Sequence, residues 1–275
     1  MSQPLPFDAL CDLAREAGQA TLTWWNKPLE VMAKTDDSPV TAADLAAHRL
    51  ITEGLNALTP DIPVLSEEDA DVPLETRLSW QRFWLVDPLD GTKEFISGTD
   101  EFTVNIALIE NGQVTLGVVG IPARDEMYWG GRGLGAWQRQ GSGEPRSVGV
   151  RRAADPLVVV GSRRHSTPDQ QALLDRIGAR RRVETMSVGS SLKFCQIAAG
   201  EADLYPRFGP TSQWDTAAAQ AVVEGAGGRV IGLSGERFAY PTRDTWLNPY
   251  FIALGELDDA TLAVVLDQPA ASSGT

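Results

Sequence analysis

Residues Trp84–Phe95 read WLVDPLDGTKEF. The segment opens with the apolar run Trp84-Leu85-Val86, with nothing polar between them, as a buried strand would. It then changes character within a few residues to Asp87, Pro88, Asp90, Gly91, Thr92, Lys93 and Glu94. Proline and glycine alone would end a strand. The carboxylates need a separate reason: Pro88 and Gly91 fix a tight turn that draws Asp87 and Asp90 together, and like charges so placed repel unless a cation lies between them. A hard divalent ion held by oxygen ligands answers that repulsion, and magnesium fits. Soft ligands, which zinc would favour, are absent. The Gly91-Thr92 backbone is placed to present N–H groups to an anion at the start of a short helix. The strand end therefore reads as a site for metal and phosphate.

A chain of 275 residues with 43% hydrophobic content has material for one large or two moderate domains. Its 24 basic and 37 acidic side chains leave a net charge of -13, which argues against nucleic-acid or acidic-membrane binding through bulk charge. An anionic substrate then needs a local positive centre. Cys11 and Cys195 have no metal-site or disulfide-framework spacing and sit among apolar neighbours, so both are expected as buried thiols. The N-terminal stretch lacks the pattern of a signal peptide, and no apolar window is long enough for a membrane span. The expectation is a cytoplasmic protein.

Apolar spacing predicts a helix from Phe7 to Trp25 through Leu10, Leu13, Ala14 and Ala17. A second is marked by the capping-box pair Thr41 and Asp44 and continues through Ile51, Leu55 and Leu58. IPVLSEED reads as a short strand ending in acid. TVNIALIENGQVTLGVVGI reads as a hairpin around Asn111-Gly112. Residues 139–156 are rich in turn formers and are expected to form the crossing between halves. Beyond them strand and helix alternate: LVVVGS, a helix from Pro168 to Ile177, a strand near 182–186, the helix SLKFCQIAAG, the strand ADLYP, the helix TAAAQAVVEGAGG and the strand RVIGL. The expected class is α/β, with an α+β half over residues 1–150 carrying the metal site, an α/β half over 151–268, and a disordered tail at 269–275.

Other acids also stand at element ends: Glu67 and Glu68 after VLS, Asp44 at its helix start, and Asp215 before TAAAQAVV. Taken singly, Asp44 and Asp215 are explained as first-turn acids favoured by the helix dipole, and Glu67 and Glu68 as solvated turn residues.

Taken together, SEED, WLVDPLDGTKEF and WDTAAAQAVVEGAGG resemble the three signature segments of the lithium-sensitive, magnesium-dependent phosphatase superfamily that includes the inositol monophosphatases. KTDDSPVTAAD, DGTKEF, SRRHS, GSSLKFC and LYPRFGPTSQWDT are similar to its bacterial 3'(2'),5'-bisphosphate nucleotidase branch, the CysQ type. The resemblance implies a layered αβαβα sandwich. It also implies magnesium held by Glu67, Asp87, Asp90, Asp215 and the Leu89 carbonyl, with Glu68 as outer support. Asp44 and Thr92 match the pair that orients and deprotonates the attacking water, in an in-line displacement without a covalent phosphoenzyme. The implied substrate is adenosine 3',5'-bisphosphate, with its sulfated analogue 3'-phosphoadenylyl sulfate. Inositol or other sugar phosphates are the alternative, and a catalytically silent nucleotide- or metal-binding regulator is the rival from outside the enzymes. Peripheral association with the inner membrane is left open.

Substrate choice has to be made away from the metal. Ser162 and His165 have the spacing of the nucleotide-contacting pair in the resembled enzymes. Ser190 and Lys193 lie one helical turn apart behind Gly189, a spacing suited to ribose and phosphate. Arg207 is a candidate for the second phosphate, with a surface role weighed equally. Asp90, Gly91, Thr92, Glu67, Leu89 and Asp215 complete the expected substrate contacts. His48 is expected to be structural, Arg180-Arg181-Arg182 to be basic residues after a helix, and Trp24 and Trp25 to join the core.

Overall fold

The computed structural model describes residues 7–27, 32–33, 39–161 and 167–267. The first half begins with α1 (Phe7–Leu22), a two-stranded ribbon of β1 (Met32–Ala33) and β2 (Pro39–Val40), and α2 (Ala42–Leu58). Next come β3 (Val64–Ser66), α3 (Leu74–Leu78), β4 (Arg82–Asp90) and α4 (Thr92–Ile96). β5 (Thr103–Glu110), β6 (Gln113–Ile121), β7 (Glu126–Gly131), β8 (Gly135–Gln140) and β9 (Arg146–Ser147) complete a seven-stranded sheet in the order β3-β4-β5-β6-β7-β8-β9. β3 pairs parallel to β4 and every other neighbour is antiparallel.

The second half contains β10 (Leu157–Gly161), α5 (Pro168–Gly178), β11 (Val183–Ser187), α6 (Leu192–Ala198) and β12 (Leu204–Arg207), followed by a 3-10 turn at Gln213–Asp215. α7 (Ala217–Gly225), β13 (Arg229–Gly232), β14 (Phe251–Leu254) and α8 (Asp259–Leu266) close it. Its five strands run in the order β11-β10-β12-β14-β13, parallel at β10–β11 and β10–β12 and antiparallel beyond.

Alternating side chains of β4 feed two cores, which is why its sequence is apolar without a break. Trp84 and Val86 join Leu10, Leu13, Ala14 and Ala17 of α1 and Ile51 and Leu55 of α2. Phe83 and Leu85 face the other way, toward α6, α7 and the inner face of the second sheet. A third cluster packs the outer face of that sheet, through Val159, Leu204 and Ile252, against Leu173 and Ile177 of α5 and Val264 and Val265 of α8. Helices and sheets thus stack as five layers, the αβαβα arrangement that the resemblance implies. α7 lies flush on the first sheet because β6 has Gly117 beneath it: a Cβ there would sit 2.3 Å from the Ala218 carbonyl oxygen.

Several expectations hold in detail. Thr41 and Asp44 form a capping box on α2. Asn111 and Gly112 turn the β5–β6 hairpin with φ of 52° and 73°. Cys11 and Cys195 are buried free thiols, and burial raises the pKa of both. Others are corrected. α1 stops at Leu22, and Trp24 is 40% exposed rather than part of the core. The stretch 139–156 is not wholly a crossing, since β8 runs on to Gln140 and β9 pairs Arg146 with Gln138 and Ser147 with Trp137. β7, β8, β14 and α8 carry glycines or short mixed patterns that gave no clean period. The expected tail lies outside the described residues.

Candidate active site

On a regular strand, residues three apart point to opposite faces. β4 avoids this with a bulge: Asp87 pairs with Asn105 and Asp90 with Thr103, so three steps on one strand match two on its neighbour. Pro88, which has no N–H to donate to a ladder, sits inside the bulge. Asp87 is buried, and its Oδ1 accepts from the Leu89 amide at 3.0 Å. Gly91 then takes a left-handed φ of 90° and opens α4 at Thr92.

Carboxylate oxygens of Glu67, Asp87 and Asp215 lie within 4.8 Å of one another. They come from the end of β3, from β4 and from the turn before α7. Asp90 is not in that trio, but its charge acts on both Asp87 and Asp215. Burial, then the mutual repulsion of Glu67, Asp90 and Asp215, holds the Asp87 carboxyl well above the usual carboxylate range. Burial followed by Asp90 and Glu67 does the same to Asp215. Asp90 is pushed up to about 6 by burial, against the opposing pull of Lys193 and the Ser191 amide. Clustered, partly desolvated oxygens with raised pKa values are what a divalent cation satisfies, and an all-oxygen set suits magnesium.

The capping bonds leave an oxygen of each acid turned toward the site. Asp44 Oδ2 accepts from the Thr41 amide at 2.8 Å and the Thr41 hydroxyl at 2.6 Å, while Oδ1 faces the Thr92 hydroxyl at 3.4 Å. Asp215 likewise accepts from the Ser212 amide through Oδ2 at 2.8 Å and still joins the cluster. Thr92 Oγ1 also stands 3.4 Å from the Leu89 carbonyl oxygen. His48 Nδ1 and Ser66 Oγ are 2.8 Å apart, and burial lowers the imidazole pKa, in keeping with a structural role.

A cavity of about 140 Å³ continues from Asp90, Gly91 and Asp215 to Ser190, Lys193 and Arg207. Lys193 is no solvated helix residue. It is 5% exposed, donates to the Ser190 carbonyl at 2.8 Å and lies 5.5 Å from the Tyr205 ring centroid. Burial lowers its pKa to about 8, with Asp90 opposing. Ser190 holds a φ of 43°, a left-handed conformation rare for a residue with a side chain. Arg207 Nη2 donates to the Pro210 carbonyl at 2.7 Å, and its Nε is buried with no partner among the described residues. Ser162 and His165 lie outside the described residues.

Sequence reasoning missed the polar lattice behind Asp90. The Ser191 amide donates to Asp90 Oδ2 at 2.6 Å, and Ser191 Oγ donates to Asn105 Oδ1 at 2.8 Å and lies 2.8 Å from Thr103 Oγ1. Asn105 was the available signal, as the one amide in the otherwise apolar interior of TVNIALIE.

Among curated proteins, the 3'(2'),5'-bisphosphate nucleotidase CysQ of Salmonella typhimurium is 52% identical over 246 residues, 89% of this chain and 97% of the relative. Its namesake in Escherichia coli (strain K12) is 51% identical over the same shares. Among solved structures, CysQ from Bacteroides thetaiotaomicron, a bacterial member of the inositol monophosphatase family, superposes with a TM-score of 0.79 at 36% identity, covering 92% of this chain and 98% of that one. An inositol monophosphatase from Thermotoga maritima follows with a TM-score of 0.74 at 28% identity, covering 94% and 96%. With residues 6–267 matching that family's model as well, the chain belongs to the inositol monophosphatase family.

Proposed function

We propose that this chain is a magnesium-dependent 3'(2'),5'-bisphosphate nucleotidase that removes the 3'-phosphate of adenosine 3',5'-bisphosphate to leave AMP and phosphate. The observation that carries this reading is a cavity lined both by the carboxylates Asp90 and Asp215 and by the cations Lys193 and Arg207. A monophosphate needs only the carboxylate end. A second phosphate gives Lys193 and Arg207 a partner, and a charge-assisted hydrogen bond of that kind is worth roughly 1.5–3 kcal/mol. The names of the relatives at 51–52% identity support the same substrate class.

Glu67, Asp87 and Asp215, with Asp90 and the Leu89 carbonyl beside them, would hold magnesium. Bound there, the metal supplies positive charge for the transferring phosphoryl group and the leaving oxygen. Thr92 Oγ1 orients the attacking water, and Asp44 Oδ1 takes the proton through that hydroxyl. Asp44 is held for this task by the two bonds from Thr41 to its other oxygen. The Gly91-Thr92 amides face the phosphate, and Ser190, Lys193 and Arg207 meet the remainder of the nucleotide, with Ser162 and His165 proposed on the sequence pattern alone. 3'-Phosphoadenylyl sulfate would be a second substrate, and clearance of a sulfate-assimilation by-product in the cytoplasm the physiological role.

Phosphate release from adenosine 3',5'-bisphosphate, inositol 1-phosphate and fructose 1,6-bisphosphate, each with magnesium and with chelator, tests the reading. The expected result is magnesium-dependent release with the nucleotide strongly preferred. Preference for inositol 1-phosphate would favour a sugar-phosphate phosphatase instead. Tight nucleotide binding with no release from any substrate would favour a silent regulator.

A further inference from the structure

Glu67 and Asp215 reach the acidic cluster from supports far apart in sequence, and Arg77 joins those supports. Its side chain is 6% exposed. Nε donates to the Val72 carbonyl at 3.0 Å, on the loop that leaves Glu67, and Nη1 donates to the Arg243 carbonyl at 3.0 Å. The guanidinium lies 3.9 Å from the Trp246 ring centroid.

Residues 243–248 are laced in turn to the segment that carries Asp215. The Gln213 amide donates to the Trp246 carbonyl at 2.9 Å, and Ser212 bridges Leu247. The Asn248 amide donates to the Thr211 carbonyl at 2.8 Å, while Asn248 Nδ2 donates to the Ser212 carbonyl at 2.6 Å and Thr216 Oγ1 at 3.1 Å. Trp246 also packs on Trp214 with centroids 5.5 Å apart. The last link is the Ser212 amide, which donates to Asp215 itself.

No carboxylate forms an ion pair with Arg77 among the described residues; its hydrogen bonds go to main-chain carbonyls. Burial opposes the charge and nearby Asp244 offsets that only in part, so the side chain is a poor device for stability through charge alone. A planar fork that grips two loops while stacked on an indole is a good device for fixing their spacing.

We propose that Arg77, through Val72 on one side and the Arg243–Trp246 strap on the other, is a positioning residue that sets the gap between Glu67 and Asp215 and thereby the affinity of the site for a divalent cation. The proposal rests on the reading of the acidic cluster as a metal site.

The test is calorimetric titration of magnesium into the chelator-treated full chain without substrate, alongside the melting temperature of the metal-free protein. Loss of a group bonded directly to a metal ligand typically costs about 10–100-fold in affinity, and Arg77, acting through two loops, sets an expectation of about 10-fold, the lower end. Arg77→Gln is expected to lose affinity by that factor, and Arg77→Lys, which keeps the charge but not the fork, to recover only part of it. Once Glu67→Gln is in place, adding Arg77→Gln should cost little more, because the two changes act on one gap. If Arg77→Gln lowers the metal-free melting temperature while magnesium affinity stays at the wild-type value, Arg77 is only a prop of the fold and the proposal is overturned. Arg77→Lys carries the same comparison should the glutamine variant not fold. A wild-type chain that takes up no magnesium would instead overturn the metal reading, and this proposal with it.

Discussion

The Thr92 hydroxyl stands 3.4 Å from Asp44 Oδ1, although the two residues are 48 positions apart. α2 and the first residue of α4 meet at that contact, so the pair is built by the fold rather than by a local motif.

Thr92→Ala should therefore leave magnesium binding intact while lowering kcat by the 10²–10⁴-fold typical of lost general-base assistance. Asp44→Asn retains an oxygen for the Thr41 cap and should melt near the wild type while losing comparable activity. Steady-state kinetics with calorimetry on both variants checks this. A change confined to KM would reduce Thr92 to a positioning role.

Acid should act oppositely on the metal-free and metal-loaded protein. Asp87, Asp90 and Asp215 all have folded-state pKa values above the unfolded value, so the folded protein binds protons more tightly than the unfolded chain. For Asp90 the penalty is full above about pH 6 and is relieved as pH falls toward the ordinary carboxylate value of 3.8, and Asp87 and Asp215 are relieved in the same direction. Magnesium removes the same repulsion and competes with protons for the same oxygens. Melting curves in chelator and in saturating magnesium should converge as pH drops from 8 to 5. A gap independent of pH would count against the metal site.

Lys193 makes a different pH signature. Burial sets its pKa at about 8, so the free protein carries this charge below that pH and loses it above. KM for adenosine 3',5'-bisphosphate should rise from pH 7 to pH 9 more steeply than KM for adenosine 3'-phosphate. Lys193→Met should flatten the difference and cost about one to two decades in kcat/KM on the bisphosphate alone. Equal losses on both substrates would assign Lys193 to the fold or the scissile phosphate.

Gly117→Ala probes the bed of α7. The added methyl would meet the Ala218 carbonyl oxygen, main chain that cannot swing aside. Overpacking of this kind costs about 1–3 kcal/mol. Because Asp215 immediately precedes the helix, magnesium affinity should fall with stability. An unchanged melting temperature would show that the helix shifts freely.

Much of this was legible in the sequence because it depends on short-range chemistry. The Thr41–Asp44 cap, the Asn111-Gly112 turn and the abrupt change at Val86-Asp87 all announce themselves within a few residues. Other features depend on the assembled layers. The bulge that turns Asp87 and Asp90 to one side needs β5 as its reference. Lys193 is buried beside Tyr205 of β12, an element well beyond its own helix turn, and Arg77 gains its meaning from a strap that follows it by many strands. β7 and β8 escaped because their glycines dilute the alternation that marks a strand.

The bond from the Ser191 amide to Asp90 spans 101 residues and latches the second sheet's helical layer to the first sheet's metal edge. Neither half holds the whole carboxylate group, so any opening of the latch disperses these residues and would release an ion held among them. On the proposed reading, magnesium would bind only the closed molecule and oppose opening by mass action. Cutting by a protease that needs the opened chain should accordingly slow as free magnesium rises. The lifetime of the protein, and not only its turnover, would then be tied to that ion.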